Sequence, residues 1–501
     1  MNWRRTATPY ALAYPAPRSP LPQERAGQRP AAGVAVGLVL SCVWLTLCFV
    51  LLVLLIPTAS GIGLLFRLAI ICLPIALLWV LYFAGQSRPV FMTALLIAIV
   101  VMTDLSARNR GLSDVSADPQ NMVKLAIWGT GLLVALLNWR HLRAAMREPP
   151  VALLLLLSLW FTLTAVYSPI RTYSFGVGVA FLSVVAFGTV ARRVVPGAML
   201  LKGVLGALTI MLCISLVMYV LVPQRAMALM EGGSILRLAA PFGSPNSLGL
   251  VAATVILLGL VSWWAGALKW PSPLLVLGVP AALACLYLSQ SRTAMLALVA
   301  ALAIVYLLGR PVRVLLAGLL LTVAAMAIVL TGFDIKELAA LLSRSGRISE
   351  VTTLTGRTEI WSFVWGEIKQ APWFGYGNAS TKYYLPLLYH TFWGWTTTHA
   401  HNMWLQIWFT TGLVGVSLLA ATFVAQFRSA RRRHDLVSLA VLVFVFVIGM
   451  AEAGHIDGAP SVLTVVWAVW LAGNPARSAE RRPAKGAGAD AGEGKVAGSV
   501  A

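Results

Sequence analysis

Acidic residues are scarce in this chain. It carries 17 Asp and Glu against 38 Lys and Arg in 501 residues, and charged residues of both signs make up only 11% of it. A soluble domain carries about 25%, so the composition excludes a water-solvated globule. Cysteine is also rare: Cys42, Cys48, Cys72, Cys213 and Cys285 all lie within apolar runs, which implies neither a disulfide framework nor a metal cluster. No D-x-D motif for a nucleotide-sugar metal complex occurs, nor a phosphate-binding G-x-x-x-x-G-K-[ST] loop, nor a carboxylate pair with glycosidase spacing. Residues 1–32 are Pro-rich and basic without an apolar core, so no cleaved leader is expected there.

What is present is 59% hydrophobic sequence. About 20 helical residues cross a hydrocarbon core. Fourteen candidate runs lie near 33–56, 66–84, 90–104, 121–138, 151–166, 173–190, 197–222, 248–266, 274–289, 293–309, 314–331, 403–426, 436–452 and 461–473. They are continuous and do not alternate, so they read as helices and not barrel strands. The expectation is an all-α polytopic membrane protein with 12 to 14 spans. With the N-terminus inside, 24 of the 38 basic residues fall on the cytoplasmic side, including the pairs and clusters in short loops. Both termini are then cytoplasmic. The net charge of +21 is spread over these connections, which fits membrane topology and anionic lipid headgroups, not nucleic acid. The organisation expected is a basic tail over 1–32, a helical region over 33–331, one large outward loop over 332–402, further helices over 403–473, and a disordered tail over 474–501.

The outward side has five polar segments: Tyr167 to Thr172, Pro223 to Ser247, Ser289 to Thr293, the 332–402 loop, and Glu452 to Pro460. The long loop is too rich in Trp, Tyr and Phe for disorder. Within it, Thr358 to Ile368 has the spacing of a short amphipathic helix, with Ile360, Trp361, Val364, Trp365 and Ile368 on one face. That helix could serve only as an interfacial anchor. His399 and His401 flank Ala400 where the loop re-enters the membrane, ahead of Asn402. An H-x-H pair alone lacks the ligands a zinc site needs, although His390, His455 and Asp457 could add to it; no metal and no other cofactor is expected. A neutral His can also act as a general base, its ordinary pKa of about 6.5 being close to neutrality, or simply cap the next helix. Arg237, Arg292 and Arg357 sit beside helix ends, where a guanidinium suits phosphate oxygens in bidentate fashion. Pairing with Glu231, Glu350 or Glu359, or snorkelling into water, is the plainer account of each.

These residues also carry a family pattern. His401-Asn402, nine residues, then Gly412-Leu413-Val414-Gly415 resembles the H-[NSQ]-x9-G-x-x-[GTY] signature of bacterial O-antigen ligases. TGRTEIWSFVWGEIKQAPWFGYG over 355–377 is similar to the G-R-x-x-x-W...P-x-x-G-x-G stretch of the wider superfamily of O-antigen ligases, O-antigen polymerases and protein O-oligosaccharyltransferases. SPNSLG at 244–249, with Asn246, and SQSRTA at 289–294 fit its outward helix ends. The resemblance implies a metal- and nucleotide-independent, inverting glycosyltransferase. It would move a polysaccharide from undecaprenyl diphosphate to a sugar hydroxyl of lipid A-core at the periplasmic face of a Gram-negative inner membrane. It further implies His401 as base or phosphate donor, Arg357, Arg292 and Arg237 on the diphosphate, and His399, Asn402 and Asn246 in support. A polymerase, a protein O-oligosaccharyltransferase and, on helix number alone, a transporter are the competing readings.

Overall fold

The computed structural model describes residues 88–106, 119–230, 235–307, 357–390, 396–456 and 459–471. The apolar runs 33–56, 66–84 and 314–331, both tails and Asp457 lie outside the described residues. Each of the other eleven runs forms helix. In chain order these are α1 (Arg88–Asp104), α2 (Pro119–Leu137), the short α3 (Trp139–Met146), α4 (Pro149–Thr164), α5 (Arg171–Val194) and α6 (Gly197–Leu221). After a single turn, α7 (Pro223–Ala226), come α8 (Pro245–Trp264), α9 (Pro273–Val276), α10 (Gly278–Ser289) and α11 (Arg292–Leu307). The loop contributes α12 (Arg357–Ile368) and α13 (Thr381–Leu388), and the chain closes with α14 (Met403–Arg433), α15 (Leu436–Gly449) and α16 (Val462–Leu471).

Among the described residues, α2, α5, α6, α8 and α14 are long and apolar enough to cross a membrane. The pair α3 and α4, bent by 108°, makes a sixth if it is one broken span. The remaining apolar helices are shorter. One amendment to the all-α expectation is a small antiparallel hairpin, β1 (Met227–Met230) with β2 (Ile235–Leu238), in which Ala228 faces Arg237.

α5 and α8 are buried on most of their faces, and all ten residues of α16 are buried. Trp467 of α16 stacks on Phe423 of α14 at 5.3 Å and donates its indole N–H to Gln426 Oε1 at 2.7 Å. Hydroxyls inside these helices bond to the preceding turn, as Ser158 does to Leu154 O and Thr254 to Leu250 O, both at 2.7 Å. In an apolar surround every polar group needs such a partner.

α4 runs antiparallel to α14: Trp160 near the end of α4 donates to Thr411 O at 3.1 Å, while Glu148 before its start meets Arg433 at 3.1 Å. The molecule therefore has a Glu148 end and an opposite end at which α14 begins.

Candidate active site

α14 begins under the loop and is broken nine residues in. Gly412 has φ +68° and ψ −166°, and a Cβ there would lie 2.1 Å from Trp373 O. Only glycine adopts this backbone without strain. The break frees hydrogen-bonding groups, and Pro372 to Gly377 of the loop takes them. Tyr376 N and Gly377 N donate to Phe409 O and Thr410 O, both at 2.8 Å, and Leu413 N donates to Pro372 O at 2.9 Å. The P-x-x-G-x-G stretch and the glycine of the His motif are thus one interlocked unit.

The loop helix α12 forms where the spacing predicts and buries Ile360, Val364 and Ile368 against α14, but Trp365, expected on the same face, is exposed. Trp361 donates its indole N–H to Ala400 O at 3.0 Å, tying α12 to the His399–His401 turn. His401 itself holds φ +48°. The cap of α14 is Asn402, not His401: its Oδ1 accepts from Trp404 N and Leu405 N, and its Nδ2 donates to Met450 O at 3.0 Å. That leaves the imidazole of His401 available for another task.

Glu452, just beyond α15, draws the site together. Its Oε1 accepts from Arg357 Nη2 at 2.6 Å and from Asn246 Nδ2 at 3.1 Å, and its Oε2 lies 3.2 Å from His401 Nδ1. Arg357 also donates to Ala451 O and, at 3.4 Å, to Thr293 Oγ1. Asn246 is held in turn by Arg237, whose Nη2 donates to its Oδ1 at 2.9 Å and whose Nε donates to Ser289 O at 2.8 Å. Arg237 is 3% exposed, on β2, and binds an end carbonyl of α10. Close packing of α8 on the α10–α11 turn depends on Gly249, where a Cβ would lie 2.3 Å from Ser291 Cβ. The structure thus joins Arg357, His401, Asn246 and Arg237 in one network. It places Arg292 next to Thr293, His399 beside His401 with ring centroids 4.2 Å apart, and His390 outside the cluster on the surface.

Burial by itself raises the Glu452 carboxyl, yet the His401 ring bonded to it and the Arg357 guanidinium beside it hold it at about 2. Burial, with His401 and the Arg357 guanidinium nearby, pushes His399 down to about 3 against the pull of Glu452. Both a carboxylate and a neutral His399 are therefore present at neutral pH. The ligand atoms of His399, His401 and Glu452 lie within 4.8 Å of one another, a set that could hold a metal ion. His455 is fully buried, with Nε2 3.2 Å from Met403 Sδ and its ring pushed down to about 4 by burial.

Four helices, α8, α11, α12 and α14, begin at this end, and α11 and α12 begin with Arg292 and Arg357. Helix N-termini carry partial positive charge and unpaired N–H groups, so the combination favours an anion. A carboxylate oriented on Nδ1 of a histidine fixes that nitrogen as the donor and leaves Nε2 as the basic atom. An imidazole held through Nδ1 and a group of helix N-termini therefore stand side by side. Residues 274–420 match the family described as O-antigen ligase. The O-antigen ligase match covers less than a third of the chain and takes in Arg292, Arg357, His399, His401, Asn402 and the Gly412 break. Arg237, Asn246 and Glu452 lie outside the stretch that matches the O-antigen ligase family, yet they complete its polar network. No curated protein matches the chain.

The sequence points to the segment that Glu452 opens but not to Glu452 itself. The available signal was a carboxylate ending the apolar run 436–452.

Proposed function

We propose that this chain transfers a glycan from undecaprenyl diphosphate to a sugar hydroxyl of lipid A-core, the O-antigen ligase reaction. It would lie in a Gram-negative inner membrane with 12 to 14 spans, both termini in the cytoplasm and this site at the periplasmic face. The observation that carries the reading is the shared Glu452 carboxylate, with Oε2 on His401 and Oε1 on Arg357.

In the reaction the acceptor O–H gives its proton to His401 Nε2 as the oxygen attacks the anomeric carbon. The bond from that carbon to the diphosphate oxygen breaks on the opposite face, so the configuration inverts. Glu452 stabilises the imidazolium that forms, while negative charge grows on the leaving diphosphate. Arg357 and Arg292, with the N-termini of α11 and α12, supply preorganised positive charge there, which is usually the largest contribution to catalysis. Arg237 acts at one remove, through Asn246 on Glu452. No nucleotide enters this scheme, because the activated bond arrives on the lipid.

The test combines purified protein, undecaprenyl-diphosphate glycan and lipid A-core, with a chelator and no nucleotide. Ligated lipopolysaccharide is the expected product. A lengthened lipid-linked glycan in place of it would identify a polymerase, and no glycosyl transfer at all would sink the reading.

A further inference from the structure

The turn Thr397-Thr398-His399-Ala400-His401 does more than present a base. We propose that His399, His401 and Glu452 form a site for a divalent transition ion of the zinc class, and that filling it switches the transfer reaction off. The switch rests on the base role assigned to His401 above; the binding site does not.

Two imidazoles and one carboxylate are a zinc donor set, with bonds of about 2.0–2.2 Å and neighbouring donors about 3.4 Å apart in a tetrahedron. His401 Nδ1 and Glu452 Oε2, at 3.2 Å, already have that spacing. A ring nitrogen of His399 completes the set, the ligand atoms of the three residues lying within 4.8 Å of one another. A second observation points the same way. Metal-ligating histidines use their other ring nitrogen to hold a neighbouring group, and both rings here do. His399 Nδ1 lies 3.2 Å from Thr398 Oγ1, and His401 Nε2 lies 3.4 Å from Thr397 Oγ1. Glu452 is similarly braced, with Oε1 on Arg357 and Asn246, so Oε2 can take an ion while those bonds stay intact.

The consequence for chemistry follows from tautomers. An ion on His401 Nδ1 forces the ring proton onto Nε2, the atom that must accept the acceptor's proton. The base is then lost, although Arg357 remains in place. The Arg357 charge also opposes the cation, so binding should be reversible by a chelator.

Untagged protein without substrates is titrated with Co²⁺, followed by visible absorption, and then with Zn²⁺. The expected result is one Co²⁺ per chain with tetrahedral d–d bands, displaced by Zn²⁺ and absent in His399→Ala protein that elutes and melts like the parent. Parent protein without those bands, or bands that persist in His399→Ala, overturn the site. In the transfer assay, saturating Zn²⁺ should cut the rate about 100-fold, since a general base is worth about 10²–10⁴-fold, and chelator should restore it. A rate unchanged or raised with the ion bound overturns the switch. A chain that binds the ion but transfers nothing even with chelator sinks the transferase reading and the switch with it, while the site stands.

Discussion

The two ends of the molecule each contain a carboxylate shared by several partners, partly exposed at one end and buried at the other, and they are built to different rules. At one end Glu148 accepts a hydrogen bond from Arg193 at 2.6 Å and forms an ion pair with Arg433 at 3.1 Å, with Arg192 and Asp435 3.7 Å apart beside it. Those arginines close α5 and α14, and a cation at a helix C-terminus is where the helix dipole favours it. At the other end, Arg357 and Arg292 open α12 and α11, against the same dipole. Glu452 there binds a histidine with positive φ as well as Arg357 and Asn246. The Glu148 cluster joins three helices with every charge where local physics wants it. The Glu452 cluster instead sets two arginines at helix starts and holds one of them, Arg357, on a carboxylate that also meets a histidine.

The sharpest way to break that contrast is His401→Ala. Transfer should fall about 10²- to 10⁴-fold, the worth of a general base, while binding of the lipid-diphosphate donor stays within a few-fold. An undiminished rate would remove His401 from the chemistry. Next come Glu452→Gln and Glu148→Gln. Glu452→Gln breaks a buried ion pair, which costs about 3–5 kcal/mol, and Glu148→Gln weakens a partly exposed one, so both should unfold at lower temperature. Only Glu452→Gln should lower turnover per folded molecule, and an equal loss in Glu148→Gln would erase the distinction between the ends.

Arg357→Lys keeps the charge but loses the planar fork that spans Glu452, Ala451 and Thr293. One charge-assisted hydrogen bond is worth about 1.5–3 kcal/mol, so kcat/KM should drop about 10- to 100-fold; parental kinetics would reduce Arg357 to a point charge. A separate effect is on acid stability. His399 and His455, normally near 6.5, sit at about 3 and about 4 in the fold, so the unfolded chain takes up protons first as pH falls below 6.5. Glu452, held at about 2 against an ordinary 4.5, adds loss in the same direction below pH 4.5. Thermal unfolding in detergent should therefore move to lower temperature from pH 7 to pH 4, and His455→Gln should shallow that slope. A flat profile would contradict the buried, neutral histidines.

The apolar helices were legible because continuous hydrophobicity survives any tertiary arrangement, and eleven runs coincide with helices. Arg357, His401 and Asn246 were legible as polar chemistry crowded at helix ends. The meeting of these groups was not. Glu452 reaches partners 51, 95 and 206 residues away, and a lone carboxylate after an apolar run does not announce which cations will find it. Arg237 reads as one of three similar arginines until the hairpin buries it behind Asn246. The break in α14 was equally silent, because hydropathy runs unbroken through Gly412 and does not report φ.

That break bears on how the chain is made. A span interrupted at Gly412 exposes the carbonyls of Phe409 and Thr410 and the amide of Leu413, groups that lipid cannot satisfy. Their partners at 372–377 are synthesised earlier. The loop must therefore be waiting at the α14 start when this helix inserts, so that biogenesis, not only the finished enzyme, depends on the order of these two segments.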